Sequence, residues 1–108
     1  MSYFLDWNTH PEKEYIPGFV GKMIHTGSCT IAYWHVKAGS VLPEHAHVHE
    51  QITNILEGTF EMTIAGELQL CQAGSVAVIP SEVIHAGVAI SDCVILDIFQ
   101  PARLDYQQ

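Results

Sequence analysis

The sequence predicts an all-β protein folded as one small domain. Three observations favour this class: apolar residues make up 48% of the 108 residues, turn-forming residues recur every eight to twelve positions, and no segment has the periodicity of an amphipathic helix. A chain of this length supports a single hydrophobic core. Short strands separated by regular turns are typical of a sandwich or barrel, and we therefore expect a double-sheet jelly roll.

The predicted elements follow the chain in order. Residues 1–18 are polar, with interspersed aromatic residues and two prolines, and we expect an N-terminal arm or a first edge strand. Residues 19–108 then form the barrel domain. Glycine, proline, serine and aspartate mark the turns between its strands. The predicted strands are 19–25, 29–37, 42–47, 51–57, 59–64, 67–71, 75–79, 84–88 and 93–99.

Charge and cysteine content narrow the classes of function. The formal net charge is −8 with only four Lys and Arg residues, which argues against nucleic acid or an anionic membrane as partner. No apolar run is long enough for a transmembrane helix, and the N-terminus lacks the pattern of a signal peptide. Cys29, Cys71 and Cys93 lie in apolar, strand-like sequence, so we expect reduced thiols and a cytoplasmic protein.

A histidine-rich segment, His45-Ala-His47-Val-His49-Glu-Gln51, has the spacing of a metal site. Side chains of a strand alternate between its faces, so His45 and His47 project to the same side and can bind one ion. On a straight strand His45 and Gln51 would lie roughly 20 Å apart. The chain must therefore turn after His47 for Gln51 to reach the same ion.

The surrounding glycines and a later histidine complete a two-part pattern. The first part runs from Gly39, through five residues and the His-x-His run, to Gly58; the second runs from Gly74, through five residues and Pro80, to His85. This arrangement resembles the two motifs of the cupin superfamily. The resemblance implies a cupin jelly-roll barrel, also called a double-stranded β-helix, that holds a metal ion.

The resemblance also implies a ligand set. The implied ligands of one divalent transition metal ion are His45, His47, Gln51 and His85. Gln51 stands where the family often has Glu, while Glu82 and Ala89 replace the usual glycine and asparagine of the second motif. Three imidazoles and an amide leave the ion's charge uncompensated, which favours an anionic ligand. Zn, Fe, Ni and Cu all suit imidazole, and the oxygen ligand also admits Mn.

The remaining histidines carry weaker expectations. A single histidine on a strand is more often a satisfied core or surface group than a ligand, and we interpret His10, His25 and His35 in this way. His49 is compatible with three roles: it supports a ligand, faces the substrate, or lies at the surface of the turn.

The last strand carries an acidic residue in an apolar setting. Asp97 interrupts a run that is apolar on both faces, and an ionised carboxylate buried there is costly without a partner. Arg103, one of the few basic residues, follows shortly after. Two interpretations stay open: an ion pair of Arg103 with Asp97 or Asp105 that fastens the tail, or a site in which Asp97 acts as acid/base and Arg103 binds a carboxylate.

The C-terminal pattern Asp97-x-Phe99-x-Pro-x-Arg103-x-Asp105-Tyr106, together with the histidine run and the chain length, resembles the KdgF family of small cupins. That family promotes conversion of 4,5-unsaturated monouronates, released from pectin and alginate by lyases, to linear keto forms. The resemblance implies that Asp97, Phe99 and Arg103 line the substrate pocket beside the metal. It also implies a small anionic substrate, a sugar acid, and an isomerase-type activity in uronate metabolism.

Two other functions fit the same fold: a metal-dependent cupin dioxygenase and a non-catalytic sugar-acid-binding cupin. One barrel supports unrelated chemistries, so the fold does not decide between them. By analogy with small cupins, and because short apolar edge strands would otherwise lie exposed, we expect a homodimer.

Overall fold

The computed structural model describes residues 2–106 and contains ten β-strands. Single 3₁₀ turns flank them at Trp7–Thr9 and Leu104–Tyr106. The strands are β1 (Lys13–Ile16), β2 (Phe19–His25), β3 (Thr30–Val36), β4 (Val41–His45), β5 (Glu50–Glu57), β6 (Phe60–Ile64), β7 (Glu67–Cys71), β8 (Val76–Ile79), β9 (His85–Ala89) and β10 (Cys93–Gln100). Across residues 2–106, no helix is long and apolar enough to cross a membrane.

The strands form two antiparallel sheets. One has six strands in the order β1-β2-β3-β10-β5-β8, and the other has four in the order β4-β9-β6-β7. Strands distant in sequence are neighbours in both sheets, which is the crossover pattern of a jelly roll. The predicted all-β jelly roll is confirmed.

All nine predicted strands are present. Those at 19–25 and 67–71 match residue for residue, and the others differ by one or two residues at an end. One difference affects the site: β4 ends at His45, so His47 lies in the following loop and not on the strand. Within residues 1–18, β1 pairs with β2 at the edge of the larger sheet. The division of the chain into arm and barrel stays a prediction.

The hydrophobic core lies between the two sheets. It is built from alternate residues of the strands, among them Trp34 of β3, Phe60 of β6 and Phe99 of β10. Along β10 every second side chain from Cys93 to Phe99 is buried, and the intervening ones are only half-buried. The expectation that this strand is buried on both faces is therefore wrong for its outward face. Asp97 lies on the buried side, which aims its carboxyl group into the space between the sheets.

The β5–β6 turn depends on glycine. Gly58 has a φ of +85°, a conformation that L side chains rarely adopt, and a Cβ there would lie 2.1 Å from the carbonyl oxygen of Asp92. The close approach holds this turn against the start of β10, which carries Asp97.

Candidate metal centre and adjoining cavity

Three histidines converge where one end of the smaller sheet faces the larger one. His45 at the end of β4 and His85 at the start of β9 are paired across the two strands, with ring centroids 4.2 Å apart. The ring of His47, from the loop beyond β4, lies 5.0 Å from that of His85. One ring nitrogen from each of the three lies within 4.8 Å of the others. Nitrogens bound to one ion at about 2.1 Å are at most about 4.2 Å apart, so only small ring movements are required.

Main-chain carbonyls fix the orientation of all three rings. Nδ1 of His45 contacts the carbonyl of Pro43 at 2.7 Å, and Nδ1 of His85 contacts that of Val83 at 2.9 Å. Nδ1 of His47 contacts the carbonyl of His49 at 2.9 Å. A carbonyl only accepts, so each Nδ1 carries the proton and each Nε2 presents a lone pair. Such carbonyl contacts are the usual support of metal-binding imidazoles.

The free nitrogen of His85 is unsatisfied. Its Nε2 is buried and has no hydrogen-bond partner among residues 2–106. Burial also lowers the pKa of His85 to about 4, so the ring is neutral near pH 7, the form that binds a metal. Burial likewise lowers the pKa of His47, against the opposing effect of Gln51.

Gln51 adds an oxygen to this cluster. Its Nε2 donates to the hydroxyl of Thr53 at 2.9 Å, which directs Oε1 towards Nε2 of His47 at 3.0 Å. In this arrangement both atoms present lone pairs to the same space, and a cation there satisfies both. The donor set therefore fits a divalent ion with open coordination positions.

Asp97 lies beside this cluster in the core. Nε1 of Trp34 donates to Oδ2 of Asp97 at 3.1 Å, while Oδ1 is buried without a hydrogen-bond partner in the described chain. Burial raises the pKa of Asp97 from 3.8 to about 6, although Thr53, Trp34, Gln51 and Arg103 all act to lower it. A carboxyl group of this kind is suited to accept and return a proton near neutral pH.

Arg103 is paired with Asp105 and not with Asp97. Its Nε and Nη2 donate to the two carboxylate oxygens of Asp105, at 3.2 and 2.6 Å. The guanidinium stacks between the rings of Phe99 and Tyr106, 4.8 and 3.9 Å from their centroids. The pair therefore fastens the tail, as one interpretation expected. It also fixes the guanidinium, whose Nη1 and remaining Nη2 hydrogens are not used by Asp105.

A cavity of about 360 Å³ adjoins the cluster, within the range typical of small-molecule sites. His45 and Gln51 contribute to its wall, as do Asp97, Phe99 and Arg103. All seven residues singled out in the sequence thus lie in or directly beside one site. The sequence analysis missed two residues on the opposite wall, Trp34 and Tyr15, whose rings lie 5.3 Å apart. The alternation of β3 predicts an inward Trp34, but no local signal pairs it with Asp97.

The other histidines have ordinary environments. Nδ1 of His10 contacts the carbonyl of Asp6, Nδ1 of His25 contacts the hydroxyl of Thr30, and His35 is exposed. His49 supports the site through its main chain, because its carbonyl fixes the ring of His47. Its own Nδ1 is buried and has no partner among the described residues.

Comparison with known proteins agrees with this geometry. The cupin domain family matches residues 32–99. The chain is 29% identical to the pectin degradation protein KdgF of Dickeya dadantii over 107 residues, 96% of each chain. The structure of KdgF from a Halomonas species superposes with a TM-score of 0.91 at 28% identity, covering 98% of this chain and 99% of that one. An RmlC-like cupin from Shewanella frigidimarina superposes with a TM-score of 0.92 at 23% identity, covering 98% and 96%.

Proposed function

Because this chain belongs to the cupin domain family and resembles KdgF proteins over nearly its whole length, we propose that it is a metal-dependent enzyme of uronate metabolism. Its reaction is the conversion of 4,5-unsaturated monouronates from pectin or alginate breakdown to linear keto forms. The observation that carries this proposal is the convergence of three oriented imidazoles, a buried carboxyl group and a fixed guanidinium on one cavity.

The metal ligands in this proposal are His45, His47, Gln51 and His85. A divalent ion held by them supplies Lewis-acid polarisation of a substrate oxygen. The amide of Gln51 adds no negative charge, so an anionic substrate is favoured over a neutral one. Zn, Mn, Fe, Ni and Cu all suit this donor set, and the metal is identified only by analysis of the purified protein.

Asp97 and Arg103 act on the substrate in this proposal, and Phe99 shapes the pocket between them. The free N–H groups of Arg103 bind the substrate carboxylate, while Asp105 and the flanking rings hold the guanidinium in place. Oδ1 of Asp97 takes the proton of the anomeric hydroxyl as the ring C–O bond breaks, and returns it to the former ring oxygen. The resulting enol then becomes the ketone by protonation at carbon, so the sequence is an isomerisation without net redox change.

A proton NMR time course of 4,5-unsaturated galacturonate tests this proposal. We expect metal-loaded protein to accelerate loss of the ring form, and chelated protein and the His85→Ala variant to leave the uncatalysed rate. The matched control is His35→Ala, which removes an exposed histidine away from the site. Metal analysis should give one ion per chain in the wild type and in His35→Ala, and none in His85→Ala. An uncatalysed rate in the metal-loaded wild type would contradict the proposal.

The same samples separate the two alternative functions. Oxygen uptake that depends on substrate and on a redox-active metal would identify a dioxygenase, whereas activity with Zn excludes one. Saturable binding of the uronate without product would identify a sugar-acid-binding cupin. Wild-type turnover in both Asp97→Asn and Arg103→Ala, at normal metal content, would refute the roles assigned to these residues.

We further propose a cytoplasmic homodimer. The reducing compartment is supported by three free cysteines, of which Cys71 and Cys93 are buried. The dimer is supported by large apolar side chains that lie exposed on the strands of the single chain.

A further inference from the structure

The six-stranded sheet has a second apolar surface, opposite the core. We call the outward-pointing side chains of β2, β3, β10, β5 and β8 the outer face. Its centre is formed by the half-buried Ile31, Leu96, Ile98 and Ile52, and it continues to Val76 and Val78, which are 60% and 58% exposed. An antiparallel sheet that carries apolar residues on both faces requires a second layer over the outer one.

Charge sets this face apart from the rest of the protein. The chain has twelve acidic residues, yet between Glu50 and Glu57 at the two ends of β5 the outward positions of these five strands carry none. Lys22 is the one charged side chain inside the face, and its Nζ donates to the carbonyl of Trp7 at 3.1 Å. An apolar centre with charges at its rim is the usual composition of a protein interface. Two copies of a chain with net charge −8 repel each other elsewhere, so this is where they can meet.

The area of the face fits a second copy. Five strands of about seven residues, with strand spacing of roughly 4.8 Å and about 3.3 Å per residue, give roughly 550 Å² in plan before corrugation by side chains. A stable interface buries roughly 800 Å² of accessible surface on each partner, so the whole face must be covered. The outward face of the smaller sheet offers only about 300 Å² by the same measure. It also carries Glu61 between its apolar residues.

The N-terminal arm lies next to the outer face. The ring of Trp7 packs on Tyr33 of β3, with centroids 5.4 Å apart, and so anchors the arm over one side of the face. The preceding residues Tyr3, Phe4 and Leu5 are 92%, 88% and 64% exposed. Three consecutive large apolar side chains in this position extend the surface that a partner would cover.

From these observations we infer that the outer face is the dimer interface, where it packs on the outer face of a second copy through a twofold axis. This inference rests on the proposed homodimer and assigns its surface. Because the face is opposite the core, the cavity beside Asp97 stays open in each copy.

Matched charge substitutions test the inference. Val78→Glu places a carboxylate in the outer face, and Leu68→Glu places one on the smaller sheet at a residue of equal exposure, 58% and 59%. Sedimentation equilibrium over a range of concentrations should show a dimer for the wild type and for Leu68→Glu. It should show a dissociation constant raised at least about tenfold for Val78→Glu, because a charge is buried without a partner. Val78→Lys should have the same effect although it lowers the net negative charge, which separates a specific interface from general repulsion. Circular dichroism of each variant verifies that it is folded.

Three outcomes would overturn the inference. A wild type that is monomeric at every concentration removes both the homodimer and its surface. A dimer that Leu68→Glu dissociates and Val78→Glu does not places the interface on the smaller sheet. A dimer that survives in both folded Val78 variants excludes the outer face. None of these results alters the NMR assay of uronate conversion, so the two proposals fail independently.

Discussion

Replacing Asp97 by Asn should stabilise the metal-free protein while it removes activity. The carboxyl group is buried, its Oδ1 has no hydrogen-bond partner in residues 2–106, and its pKa is raised from 3.8 to about 6. A raised pKa means that the folded state favours the neutral acid, so the ionised form costs stability. That cost is absent below the unfolded pKa of 3.8 and grows as pH rises towards 6. Above pH 6 it is fully present.

The magnitude follows from the shift in pKa. A shift from 3.8 to about 6 corresponds to about 3 kcal/mol at pH 8 and about 1.5 kcal/mol at pH 5, since each unit is worth about 1.4 kcal/mol. Asn is neutral at every pH and still accepts from Nε1 of Trp34. We therefore expect the stability difference between Asp97→Asn and wild type to increase by about 1.5 kcal/mol between pH 5 and pH 8.

Urea unfolding of both chelated proteins at four or more pH values measures this difference. Other titrating groups are common to the two proteins and cancel. The exposed Glu67→Gln variant controls for the loss of one negative charge. A difference between Asp97→Asn and wild type that is independent of pH would refute the reasoning, because Asp97 would then have the same pKa in the folded and unfolded states.

Three further predictions concern the tail, a turn and the ligand set. Asp105→Asn should raise KM for the uronate more than it lowers kcat, because it releases the guanidinium of Arg103; Asp105→Glu should restore much of the affinity, and equal effects on KM and kcat would contradict this role. Gly58→Ala should destabilise the protein by about 1–3 kcal/mol more than Gly66→Ala, as measured by urea unfolding. Both glycines have a positive φ, but only at Gly58 does a Cβ meet a main-chain carbonyl, so similar losses would contradict the clash. Gln51→Glu should tighten binding of a divalent metal in calorimetric titration and weaken binding of the anionic substrate, because a carboxylate neutralises part of the ion's charge. Unchanged affinity for both would show that this side chain is not a ligand.

Local patterns in the sequence carry most of the fold. Alternation of apolar residues and regular turn residues placed nine strands within two residues of their observed ends, because period-two burial and turn chemistry are properties of neighbouring residues. The boundary of β4 was the informative exception. His47 continues the alternation in the sequence but lies in the loop, where the main chain turns so that Gln51 can approach it.

The sequence by itself determined the strand pattern and the set of histidines and Gln51 that converge, because their spacing carries both the turn and the facing directions. The tertiary structure alone decided which groups meet across the core. Trp34 donates to Asp97 across 63 residues, and Arg103 takes Asp105 and not Asp97 as its partner. Such contacts depend on the order of strands in the sheets and on the burial of each group. No local periodicity encodes either, so the environment that raises the pKa of Asp97 appears only once the two sheets are packed.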